Sequence, residues 1–116
     1  MYLQILKSKI CHATISEANL HYEGSITVPQ DLMQAAGLFA GEKVHVLNVN
    51  NGQRFETYII TGPAGSGRFC LNGPAARLGV AGDKVMVLSY ALMEPEEARR
   101  FSPVILHLDE RNAVKS

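Results

Sequence analysis

Apolar and polar positions alternate in short runs along this chain, and turn residues interrupt the pattern before any long helix is sustained. Leu3, Ile5, Ile10, Ala13 and Ile15 predict one or two strands over Tyr2–Ile15. Ser16–Leu20 reads as a single helical turn with Ser16 as its N-cap. Ser25–Val28 is short, β-branched and bounded by Pro29, which predicts a strand. Pro29 suits the first turn of a helix continuing through Gln30–Ala36, with Leu32, Met33 and Ala36 on its apolar face and Gly37 past its end. Glu42–Val49 and Arg54–Thr61 are two strand-like runs, and the intervening Asn50-Asn51-Gly52 predicts a hairpin. The glycine-rich Gly62–Gly67 lacks the Gly-Lys-Ser/Thr ending of a phosphate-binding loop and is read as a turn. Arg68–Leu71 is a short strand, Pro74–Leu78 a helical turn and Lys84–Tyr90 a strongly apolar strand. Glu94–Phe101 is a short helix, with acids in its first turn and bases in its last. Pro103–Leu108 is a final strand, and the polar tail to Ser116 is expected to fray. Many short strands with two or three short helices predict a mainly β fold, a small closed barrel rather than a parallel βαβ sheet. Residues 1–116 read as a single domain without repeats or low-complexity segments.

Composition narrows the function classes. Hydrophobic residues make up 47% of the 116 and charged residues 19%, which suits a packed core rather than a disordered chain. Eleven basic residues balance eleven acidic ones with no basic block, so nucleic-acid binding has little electrostatic support. The apolar run in Met1–Lys7 is too short for a signal peptide or a membrane span. Two cysteines, Cys11 and Cys70, with no secretion signal predict free thiols in a reducing cytoplasm. His12, His21, His45 and His107 show no metal-ligand spacing, and no metal is expected. A domain this small buries a limited fraction of its surface, so self-association would help it, and a site could then form between subunits.

The chemistry centres on His21-Tyr22-Glu23-Gly24-Ser25, where a loop gives way to a strand. Gly24 tolerates dihedrals that other residues refuse. The Ser25 hydroxyl can reach the carbonyl of Gly24, and where the loop holds that geometry, attack driven mostly by proximity would turn the peptide bond into an ester. Elimination and hydrolysis would then leave a pyruvoyl group at residue 25. A Gly-Ser pair is more commonly only a turn, so the dipeptide does not decide the matter.

The surrounding strings do more. Asn19-Leu20-His21-Tyr22-Glu23-Gly24-Ser25 resembles the self-cleavage site of the pyruvoyl-dependent aspartate 1-decarboxylases. Lys9-Ile10, Asn51 to Tyr58, Leu71 to Ala76, Gly82 to Val85 and Glu96 to Arg99 continue the resemblance in matching order from Met1 to about Asn112. The resemblance implies a double-psi β-barrel assembled as a homotetramer, with active sites between subunits. It implies self-cleavage into residues 1–24 and 25–116, with a covalent pyruvoyl cofactor made from Ser25. The substrate implied is L-aspartate, converted to β-alanine and CO2 through a Schiff base and feeding pantothenate and coenzyme A synthesis. A maturation factor is a further partner where cleavage is assisted; nucleic acid and membrane are not implied.

The resemblance also distributes roles. Tyr58 matches the proton donor to the α-carbon, and Thr57 the residue that hydrogen-bonds the oxyanion at the Gly24 carbonyl during cleavage. Arg54 matches the substrate's carboxylate clamp, a task suited to a guanidinium fork, and Lys9 adds positive charge. Asn72 matches a residue that stabilises the enolate-like intermediate, Gly73, Pro74 and Ala75 a substrate-binding turn, and Tyr22 a loop residue beside the cut. Strand alternation sets Arg54 and Tyr58 on one face and Thr57 on the other, so one site holds all three only where the strand twists or ends, or where a neighbouring subunit lends residues. Two departures from the family pattern stand out. Cys11-His12 replaces the usual His-Arg, and Pro74 replaces the first of three alanines, removing an N–H. Both imply an altered processing rate or affinity with activity retained. The competing readings are a pyruvoyl decarboxylase for a related acid such as glutamate, and a non-catalytic barrel that binds a partner.

Overall fold

Eight strands account for just under half of the chain, and a computed structural model describes residues 1–115 of it. In chain order they are β1 (Leu3–Thr14), β2 (Glu17–Asn19), β3 (Ser25–Pro29), β4 (Lys43–Asn48), β5 (Arg54–Gly62), β6 (Cys70–Asn72), β7 (Lys84–Met93) and β8 (Val104–His107). Helix α1 (Gln30–Ala36) follows β3, and α2 (Pro95–Arg100) follows β7. A 3₁₀ turn covers Gly73–Arg77. Helix α1 buries Leu32, Met33 and Ala36 and ends at Gly37, whose φ of 71° closes the last turn. The Asn50–Gly52 hairpin joins β4 to β5 in antiparallel register.

The strands form one mixed sheet in the order β2-β6-β3-β5-β4-β7-β1-β8. Strand β3 runs parallel to β5 and antiparallel to β6, so it is paired on both edges. That position explains its near-continuous burial. Strand β2 is one edge of the order and β1 lies next to the other edge, yet only Ile15 and Ser16 separate them in the chain. The sheet must therefore curl until its ends meet. Ile10, Ala13, Ile26, Val28, Val44, Val46, Ile59, Phe69, Leu71, Val85 and Val87 fill the inside of the curl. Mainly β is thus the observed class, with two short helices. The closed barrel expected from the sequence is not reached by hydrogen bonding, because no ladder joins the two edge strands β2 and β8 among the described residues.

Two expectations of local structure are corrected. Ser16–Leu20 is not a helical turn. Glu17–Asn19 pairs with Cys70–Asn72 as β2, and Ser16 spends its groups on Phe69, donating its N–H to the Phe69 carbonyl (2.7 Å) and accepting the Phe69 N–H on its hydroxyl (3.2 Å). The tail does not fray over its described part. Leu108 bridges to Val114, and buried Asn112 donates to the carbonyls of Thr14 (2.9 Å) and Gly67 (2.7 Å) while accepting the Thr14 N–H (2.8 Å). Ser116 lies outside the described residues. No helix among them is long and apolar enough to cross a membrane.

Candidate active site

Ser25 opens β3 and is wholly enclosed, at 0% exposure. Its hydroxyl donates to the carbonyl of Glu23 (3.1 Å) and accepts from Asn72 Nδ2 (2.9 Å). Register explains the second contact, because Ser25 sits directly opposite Asn72 across the β3–β6 ladder. On the other edge, Ile26 is level with Ile59 of β5. One step back along this parallel pair, Ser25 falls level with Tyr58 and Gly24 with Thr57.

Pairing between β3 and β5 begins at Ile26, so the start of β5 runs on beyond β3. Phe55, Glu56, Thr57 and Tyr58 therefore line a cleft of about 330 Å³ together with Gly24, Pro74, Ala75 and Leu78. Thr57 and Tyr58 point to opposite faces of β5, as alternation requires, yet both border the cleft with Gly24 because the β3–β5 ladder begins only at Ile26. The conflict foreseen from the sequence is resolved for this pair by the neighbouring strand stopping short.

Gly73 closes the site from the other side. It holds φ at +63°, and a Cβ there would stand 2.5 Å from the Tyr22 carbonyl oxygen and 2.7 Å from the Gly24 nitrogen. Only a residue without a side chain lets the two backbones approach this closely. Pro74 follows with its ring over Gly24, 3.3 Å from where a Cβ on that glycine would lie. Gly73→Ala is expected to push the loop off the turn and slow any reaction at Gly24 by at least about fivefold, since the left-handed conformation alone costs an alanine about 1 kcal/mol. Time courses of chain cleavage would check this, and an unchanged rate would contradict it.

Gly24, Ser25, Thr57, Tyr58, Asn72, Gly73, Pro74 and Ala75 are thus brought together within one chain. Tyr22 joins by its backbone, while its side chain is exposed. Arg54 and Lys9 stand apart. Arg54 is exposed three residues before Thr57 on an extended strand, roughly 10 Å along it. Lys9 is level with Leu88, His45 and then Glu56, three strand spacings away, or roughly 14 Å. His12 does not reach the site either. A shift of register between Ile10 and Ala13 puts it at φ 64°, exposed beside Lys84, Asp109, Glu110 and Lys115, while Cys11 is buried.

Sequence reading passed over Thr27, whose Oγ1 accepts a second hydrogen bond from Asn72 Nδ2 (3.0 Å). Its place two residues after Ser25 on one strand was the available signal. Cys70 neighbours the site but is not a rival nucleophile. Burial pushes its thiol up despite the Arg68 guanidinium nearby. No cluster of His, Cys, Asp or Glu among the described residues could hold a metal ion.

The family model for aspartate decarboxylase matches residues 1–115. The aspartate 1-decarboxylase of Caldicellulosiruptor bescii is 52% identical over 98% of this chain and 89% of its own length. Those of Pelotomaculum thermopropionicum and Dehalococcoides mccartyi are each 54% identical, over 98% and 95% of this chain and 86% and 89% of theirs.

Proposed function

This chain belongs to the aspartate decarboxylase family, and from that premise we propose how its residues carry out the family's reaction. It is a carboxy-lyase that removes CO2 from aspartate, leaving β-alanine for pantothenate biosynthesis. The reading proposed here is that Ser25 is converted to a pyruvoyl group by cleavage after Gly24. The observation that carries it is a fully enclosed hydroxyl on the residue after Gly24, gripped by Asn72, with Gly24 itself lining an open cleft.

The residues fit such a group. Gly73, lacking a Cβ, lets the Tyr22–Gly24 backbone pack directly on its turn, and Asn72 presents N–H groups where residue 25 begins its strand. In the first step Ser25 Oγ bonds to the Gly24 carbonyl carbon, the C–N bond breaks, and the hydroxyl proton passes to the freed nitrogen. Thr57, level with Gly24, is placed to donate to the oxygen that gains charge. The ester then loses the residue-25 Cα proton and its Cβ–Oγ bond, so Gly24 leaves as a carboxylate. Water enters and ammonia departs. A pyruvoyl group supplies a ketone for the substrate amine and a neighbouring carbonyl to receive the electrons freed as CO2 leaves.

The remaining tasks fall to the chain's own side chains. Tyr58, half-exposed at the cleft, delivers a proton to the substrate α-carbon. Asn72 holds negative charge beside residue 25, and the Gly73-Pro74-Ala75 backbone supports the bound substrate. Because Pro74 lacks an N–H, Ala75 offers the first donor after Gly73. Arg54 and Lys9 clamp the substrate carboxylates from a neighbouring copy in a homotetramer, which is supported by their distance from the cleft of their own chain. A reducing cytoplasm suits the two free thiols.

Intact-mass measurement tests the reading. Cleavage after Gly24 divides the 116 residues into pieces of 24 and 92, the larger one blocked at its N-terminus and labelled by borohydride or amines. A single unlabelled species after prolonged incubation would overturn it.

A further inference from the structure

Asn72 spends both hydrogens of its side-chain amide on one strand. Nδ2 donates to Ser25 Oγ at 2.9 Å and to Thr27 Oγ1 at 3.0 Å. Residues 25 and 27 lie on the same face of β3, and Asn72 faces Ser25 across the ladder. The amide is 4% exposed, and Thr27 is half-buried beside it. A terminal amide with one fixed N–H has its plane, and hence its other N–H, fixed as well.

We propose that Thr27 is a positioning residue for self-cleavage: its hydroxyl oxygen orients the Asn72 amide, which in turn holds the Ser25 hydroxyl next to the Gly24 carbonyl. The proposal deepens the pyruvoyl reading and rests on it. The Ser25 hydroxyl has rotational freedom about its own Cα–Cβ bond, and one donor on Oγ selects a rotamer only if that donor is itself held. Thr27 is the second anchor. Its role outlasts cleavage, because the Ser25 oxygen leaves with Gly24 in the step written above. Thr27 then remains as the acceptor that keeps Asn72 aimed, and the N–H formerly on Ser25 becomes free for whatever occupies that position.

Thr27 also has a packing role, and the two roles can be separated. Its methyl Cγ2 fills the space over Gly62, 2.8 Å from where a Cβ on that glycine would stand. Thr27→Val keeps that methyl and removes the acceptor; Thr27→Ser keeps the acceptor and removes the methyl. If the hydroxyl is what matters, the valine variant cleaves about five- to tenfold more slowly, the size of one lost hydrogen bond in the transition state. The serine variant then cleaves near the parent rate. If only packing matters, the order inverts, with serine slow and valine near parent.

The experiment follows the appearance of the 24- and 92-residue pieces by mass for the parent, Thr27→Val and Thr27→Ser chains, with melting temperatures measured on the same samples. After full maturation, the valine variant is expected to lose in kcat for aspartate more than in KM. Valine slow and serine normal, at similar melting temperatures, supports the proposal. Serine slow, both variants equally slow, or both at the parent rate overturns it while leaving the pyruvoyl reading intact. Failure of the parent itself to yield two pieces overturns the reading beneath it.

Discussion

Ser25→Ala leaves the chain in one piece and without activity: one species of 116 residues by mass, no label from borohydride, and no CO2 released from aspartate. The expected loss of decarboxylation is on the order of 10⁴-fold or more, the scale seen when a covalent nucleophile is removed. The fold survives. Ser25 is enclosed at the start of β3, and alanine fits its space with only a hydroxyl missing. One N–H of Asn72 loses its acceptor while the other keeps Thr27, a change of about 1–3 kcal/mol in stability. A melting curve near that of the parent, beside an uncut chain, would separate lost chemistry from lost structure. Activity retained by an uncut Ser25→Ala chain would remove the pyruvoyl group from the mechanism.

The parts of this architecture that were legible in the sequence are those whose signals are local. The β-branched runs of β3, β4 and β5, the Asn-Gly hairpin and the Pro-to-Gly boundaries of α1 each declare themselves within ten residues. Glu17–Asn19 does not. Three residues carry too little periodicity to register, and they become a strand only because Cys70–Asn72, some fifty residues later, supplies a ladder. Asn112 misled in the same way. A polar residue near the end reads as solvated, yet its amide ties the tail to Thr14 of β1 by two hydrogen bonds and to the Gly67 carbonyl by a third. At the site, residue identity pointed to Gly24, Ser25, Thr57, Tyr58 and Asn72 through resemblance. Their convergence depends on β3 beginning later along the ladder than β5 does, which is a matter of register and not of composition. Thr27 was missed because its partner lies across the sheet.

Arg54→Ala separates the two reactions in the opposite sense. Cleavage after Gly24 proceeds at the parent rate, because Arg54 lies outside the cleft that Gly24 lines. Among the described residues it forms no ion pair, so its removal changes stability by only about 0.5 kcal/mol. Decarboxylation falls by about 10²–10³-fold in kcat/KM, as when one partner of a desolvated charge pair is truncated. Arg54→Lys recovers only part of this, since an ammonium cannot reproduce the two-pronged grip on a carboxylate. Loss of cleavage in Arg54→Ala would count against the role assigned to it. The geometry adds a sharper arm. If Arg54 serves the cleft of a neighbour, chains carrying Ser25→Ala and chains carrying Arg54→Ala are each inactive alone but complement when co-expressed. A mixed assembly then contains sites with the pyruvoyl group from one chain and the guanidinium from the other. Random mixing of equal amounts restores about a quarter of the sites when each is built across one symmetric interface. If each Arg54 instead served its own chain, every mixed site would lack either the guanidinium or the cofactor, and activity would stay at background.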